Sequence, residues 1–172
     1  MIQPGLFDTN TAVFSEDRRY RYLLTRQWGP STSHVLFIML NPSTADDVSD
    51  DPTIRKCIGF ARAWGYDGLS VCNLFAYRAT SPQTMKAAPD PIGPRNDLQI
   101  LRAVERAKII VAAWGTHGDF INRACHVLGL IRHPVWCLGT TQTGAPRHPL
   151  YVPAAQPLVL LRKLVLLRKG AL

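Results

Sequence analysis

The chain alternates short, wholly apolar runs with longer stretches in which apolar residues recur every three or four positions. Four runs, residues 35–40, 69–75, 109–114 and 135–139, are apolar on both faces. Such runs predict strands covered by helices on both sides. Between them the period lengthens to that of a helix. Asp51 is placed to cap one helix with Pro52 at its first position. Ile54, Ile58, Ala61 and Gly65 then share a face, and Gly65 or Gly68 ends the helix. Asn96-Asp97-Leu98-Gln99 has the spacing of a capping box with an Asn cap, leading into Leu98, Leu101 and Val104. A third helix is predicted over 119–129, with Ile121, Ala124, Val127 and Leu128 inward. A terminal helix is predicted over 157–169, with Leu158, Leu161 and Val165 on one side and basic residues on the others. Residues 18–28 alternate only partly and predict an edge strand or hairpin.

Strand and helix alternating at this pitch predict right-handed crossovers and a parallel sheet. The expected fold class is α/β: a three-layer α/β/α sandwich around a central four-stranded, mainly parallel sheet, with an N-terminal β segment. At 172 residues the chain predicts one domain, with a core over about 34–155. No apolar run is long enough to span a bilayer, and the first residues lack a basic stretch followed by an apolar one. The expectation is a soluble, cytoplasmic protein with no membrane partner. Oligomeric state is not legible.

Charge adds a partner. Twenty Lys and Arg against twelve Asp and Glu give a net charge of +8. Such a chain associates with polyanions, and nucleic acid, DNA first, is the expected one. Cys57, Cys72, Cys125 and Cys137 form no C-x-x-C pair and read as buried free thiols, so neither metal nor cofactor is expected. The absence of G-x-G-x-x-G, P-loop and G-x-S-x-G patterns argues against dinucleotide binding, P-loop ATP hydrolysis and esterase chemistry.

Open parallel sheets bind ligands at the carboxyl ends of their strands. The four loops there begin at Asn41-Pro42-Ser43, at Asn73, at Trp114-Gly115-Thr116-His117, and at Thr140, the last running through Arg147-His148-Pro149-Leu150-Tyr151. Asn41 before Pro42 is equally a turn residue, Asn73 equally a strand-end partner of the main chain, and His117 equally a loop or cap residue. The acidic run Asp46, Asp47, Asp50, Asp51 reads as a solvated loop ending in a cap, or as a source of a general base or Mg²⁺ ligands.

The order of Leu40-Asn41-Pro42-Ser43, Asn73, Trp114-Gly115 and His148-Pro149 on successive strands resembles the uracil-DNA glycosylase superfamily over roughly 34–155. The segments Leu40-Asn41-Pro42-Ser43-Thr44-Ala45-Asp46, Asn73-Leu74-Phe75-Ala76 and Arg147-His148-Pro149-Leu150-Tyr151 more closely resemble a bacterial and phage domain family of unknown function. The first resemblance implies an enzyme of DNA repair, a hydrolase that flips a base and cleaves its N-glycosidic bond without metal. Asn41 would position water, His148 would stabilise the departing base, and Asp46 or Asp47 would be the alternative base. Asn73 would read the pyrimidine edge, with Pro42, Ser43 and Phe75 around the base; Phe60 and Tyr77 are further stacking candidates. Arg147, Leu150, Tyr151, Gly115, Thr116 and His117 would meet nucleic acid, Leu150 or Tyr151 filling the gap left by the base. The alternatives are a non-catalytic nucleic-acid or nucleobase-binding module and a hydrolase of free nucleotides.

Overall fold

A computed structural model describes residues 9–43, 45–46 and 48–162. The described residues form an α/β arrangement around one mixed sheet of seven strands, in the order β1-β2-β4-β3-β5-β6-β7. The strands are β1 (Thr9–Phe14), β2 (Arg21–Gln27), β3 (His34–Met39), β4 (Gly68–Asn73), β5 (Ala107–Ala112), β6 (Val135–Cys137) and β7 (Val159–Arg162). β3 pairs in parallel with both β4 and β5, and β5 in parallel with β6. β1, β2 and β7 are antiparallel to their neighbours. The helices are α1 (Pro52–Ala63), α2 (Pro82–Lys86), α3 (Asn96–Arg106) and α4 (Arg123–Leu130). None of them is long and apolar enough to cross a membrane.

Strand β3 explains the layering. Its residues point alternately to opposite faces. Val35, Phe37 and Met39 pack with Ile54, Cys57, Phe60 and Ala61 of α1. Leu36 and Ile38 pack with Ile100 and Val104 of α3 and Val127 of α4. Both faces of a central strand are therefore dry, which is why its sequence is an unbroken apolar run. Each of these large side chains, fully buried, contributes about 1.5–3 kcal/mol.

Helix α1 starts as its sequence predicts. Asp51 accepts the Ile54 N–H at 2.8 Å, and Pro52 occupies the first position. Gly65 follows the helix with φ +78°, the left-handed conformation that terminates it.

The sheet carries seven strands where four were expected, and other expectations are corrected at particular elements. Of the two alternatives for residues 18–28 the hairpin holds and the edge strand does not: β2 pairs antiparallel with β1 and lies between it and β4. Residues 159–162 form β7 against β6, where a terminal helix was expected, and residues 163–172 lie outside the described residues. The apolar spacing of that segment suits a helix, but the open edge of β6 takes its backbone as a strand. Asn96 is not a cap. Arg95 stands at the cap position, and the Asn96 side chain turns inward to tertiary partners. The buried stripe of α3 is accordingly Ile100, Ala103 and Val104, while Leu98 is 49% exposed. The helix expected over 119–129 is broken. A 3-10 segment, Gly115–Asn122, precedes α4, and Ile121 at the junction has φ +46° and faces solvent. Of the cysteines, Cys57, Cys72 and Cys137 are buried, whereas Cys125 is exposed.

Candidate functional site

The loops after β3, β4, β5 and β6 close around a cavity of about 650 Å³. Asn41, Ser43, Asn73, Gly115, Thr116, His117, Arg147, His148, Leu150 and Tyr151 all line it, so these sequence-predicted residues do meet. Pro42, Phe75 and Asp46 do not. Pro42 is buried and lends its carbonyl to the Ala79 N–H. Phe75 is fully buried, with its ring 5.7 Å from that of Phe120. Asp46 turns away to accept the N–H groups of Val48 and Ser49, which hold its carboxyl below the usual range. Phe60 and Tyr77 also lie outside the lining, and Asp47 lies outside the described residues.

The wall groups are fixed by the main chain. Asn41 Nδ2 donates to the Ala79 carbonyl at 2.8 Å and to that of Pro42 at 3.2 Å. That choice of donor leaves Oδ1 as the amide's acceptor. Asn73 is 2% exposed, and its Oδ1 is buried without a partner. The chain around it is held by Asn96, whose Nδ2 donates to the carbonyls of Asn73 and Leu74. Arg123 Nε reaches the same Leu74 carbonyl at 2.7 Å, while its other end pairs with Asp97.

His148 sits where the last loop enters the short 3-10 turn Pro149–Tyr151. Its Nδ1 accepts the Leu150 N–H at 3.3 Å, which places the proton of the neutral ring on Nε2. Burial pushes its pKa down, and Asp51 pulls it partly back. The imidazole is therefore neutral at pH 7 and available as an Nε2–H donor. Beyond it the turn presents Leu150, 42% exposed, and Tyr151, 75% exposed. Arg147 Nη2 braces this turn through the Tyr151 carbonyl at 2.7 Å. Opposite, Gly115 has φ +72°, which lets the chain turn sharply off Trp114. Gly118 packs directly on the Trp114 indole, leaving no room for a Cβ.

Several lining residues, Trp114, Asp51 and Arg21 among them, were not among the site residues expected from the sequence. Trp114 is 3% exposed and contributes to the wall. Asp51, expected as a cap and as part of the acidic run, is also the acidic side chain that reaches the cavity. Arg21 comes from β2, outside the strand-end loops altogether. A charged residue in a half-alternating strand reads as solvated, so no local signal marks it. Its neighbour Arg26 clamps the same loop from below, pairing with Asp50 at 2.8 Å and donating to the carbonyls of Asp46 and Ser49.

Residues 21–150 match the profile of a family described as protein of unknown function (DUF1643). The chain belongs to that family. No curated protein and no solved structure matches it. The DUF1643 match spans the strand-end loops from β3 to His148 and takes in Arg21 and Arg26 as well.

A second cavity, of about 480 Å³, lies at the opposite ends of the parallel strands. Thr25, His34, Ser70, Gln99, Arg102 and Arg106 line it together with apolar side chains.

Proposed function

We propose that the strand-end cavity of this DUF1643 protein recognises a nucleobase, and that the protein is a DNA-directed N-glycosidase acting on a flipped, deaminated or modified base. The observation that carries this reading is the convergence of Asn41, Asn73 and His148 in one cavity. The resemblance of the motif order to the uracil-DNA glycosylase superfamily, carried on four mutually parallel strands, supports it.

The chemistry follows from the groups present. Asn73, buried with an unpartnered Oδ1, is suited to a base edge. Asn41, its Nδ2 tied to the Ala79 carbonyl, keeps Oδ1 to hold a water. That water adds to the anomeric carbon as the bond to the base nitrogen breaks. The electron pair leaves with the base, where the His148 Nε2–H stabilises it, and the water's proton is released to solvent. Leu150 and Tyr151, exposed at the rim, fill the vacated stack.

The test is base release. Single- and double-stranded DNA carrying uracil, hypoxanthine, xanthine or oxidised pyrimidines is incubated with the protein, and freed base is detected by mass spectrometry. Asn41→Ala and His148→Ala are each expected to slow release by about 100-fold or more. No release of any base from a folded protein overturns the reading.

One observation favours a second reading, a binding module without turnover. Asn41 is an amide, and Asp51 already spends one carboxylate oxygen on the Ile54 N–H, so neither is a strong and wholly free base. That module binds nucleic acid with marked salt dependence and releases nothing. A hydrolase of free nucleotides would ignore the polymer.

A further inference from the structure

Arg21 stands in the cavity wall with 2% of its surface exposed. One Nη donates to the Ala45 carbonyl. Its Nε is buried and has no hydrogen-bond partner. It forms no ion pair among the described residues. Arg26 on the same strand is buried to the same degree, yet its guanidinium meets Asp50 and three main-chain carbonyls. The charges felt by Arg21 are Asp51, which steadies its cation, and the guanidiniums of Arg78 and Arg26, which oppose it. Burial draws its pKa down to about 10, so it remains cationic at neutral pH.

A buried guanidinium without its own counter-ion is strongly unfavourable in a folded protein. Such a group is kept where a ligand supplies the missing charge and acceptors. A neutral base would leave that charge unmet. A phosphoryl group meets it, because its oxygens match the guanidinium fork. The rest of the wall suits the same group. The amino end of α1 also reaches the cavity, where Asp51 already takes the Ile54 N–H and Pro52 has none, and Thr53 and Ser43 add hydroxyls. The volume of about 650 Å³ accepts a whole nucleotide.

We infer that Arg21 is the receptor for a phosphoryl group, so that the strand-end cavity takes a phosphate-bearing nucleotide unit and not a bare base. The base-directed reading supplies only the identity of the rest of the ligand; the anion requirement stands on Arg21 itself. The phosphate belongs either to a free mononucleotide or to a DNA strand.

Calorimetric titration of the full chain with deoxyuridine monophosphate, deoxyuridine, inorganic phosphate and a short single-stranded oligothymidylate tests this. The monophosphate is expected to bind about ten-fold or more tighter than the nucleoside, the worth of a charged hydrogen bond. Arg21→Gln should erase that preference and Arg21→Lys should keep part of it. Asp51→Asn retains a capping side chain while removing the competing anion, and should tighten monophosphate binding several-fold. Tighter binding of the oligothymidylate assigns the phosphate to a strand; tighter binding of the monophosphate assigns it to a free nucleotide. Equal binding of nucleoside and monophosphate, binding of neither, or a preference that survives Arg21→Gln overturns the inference. If Arg21→Gln does not fold, Asp51→Asn decides, and an unchanged preference there overturns it. A phosphate preference without base release leaves this inference standing while removing the glycosidase.

Discussion

At the carboxyl ends of the parallel strands, the polar wall groups are anchored by the main chain. At the amino ends they stand on the outer surface of α3 and on β2, β3 and β4. Asn41, His148 and Arg147 each hold a backbone partner, and Arg26 and Asn96 secure the loops behind them. Arg102 and Arg106 at the other end are exposed and carry no ion pair among the described residues. Both cavities hold arginines and hydroxyls, so composition alone does not separate them. What separates them is pre-organisation, because a group already fixed loses little further freedom when it meets a ligand.

That contrast can be broken most severely at Arg26. Arg26→Met leaves Asp50 and the Asp46 and Ser49 carbonyls without their cation, and losing charged hydrogen bonds to a part-buried partner costs about 1–3 kcal/mol. Urea denaturation should show that loss. A loss near zero would mean that the loop holds its shape without the clamp.

A smaller effect is expected from pH. The neutral His148 ring accepts the Leu150 N–H, and protonation turns that nitrogen into a donor. Its folded pKa lies below the ordinary 6.5 because burial disfavours the cation, with Asp51 opposing. The unfolded chain therefore binds the proton first, and stability falls as pH drops below about 6.5 until the folded value is passed. His34, lowered by burial alone, contributes with the same sign. Thermal melts from pH 8 to 5 should flatten in part in His148→Gln; an unchanged slope would assign the effect to His34.

The smallest effect belongs to the amino-end cavity. Arg102→Ala and Arg106→Ala should each change stability by no more than about 0.5 kcal/mol, as for surface substitutions that break no fixed contact. A larger loss would show that this end is as firmly built as the other.

The sequence reading reached the parts governed by local pattern. The four parallel strands could be read from apolar runs, and α1 from Asp51 and Pro52, because burial on both faces and capping leave a mark on neighbouring residues. The rule that parallel sheets work at their carboxyl ends brought Asn41, Asn73 and His148 to one place. Local spacing misled where tertiary contacts took over. Asn96 has the spacing of a cap but serves the chain at Asn73 and Leu74. Residues 159–162 have apolar spacing suited to a helix but complete a sheet edge. Asp46 stands within the first motif yet is consumed by its own turn. Arg21 and Arg26 were unreadable for a different reason. Their burial depends on a loop that follows them in the chain and folds over β2, and nothing in residues 21–27 foretells it.

The clamp also has a place in time. Arg21 and Arg26 precede in the chain the loop they hold, so during synthesis they leave the ribosome before Ala45, Asp46, Ser49 and Asp50. β2 itself has its inner neighbour in β4, and β3 pairs with both β4 and the still later β5. The clamp spans 20–24 residues of chain, a shorter reach than the pairing of β2 with β4 or of β3 with β5. Its loop is thus within reach of the two guanidiniums before the later strands that complete the sheet are made.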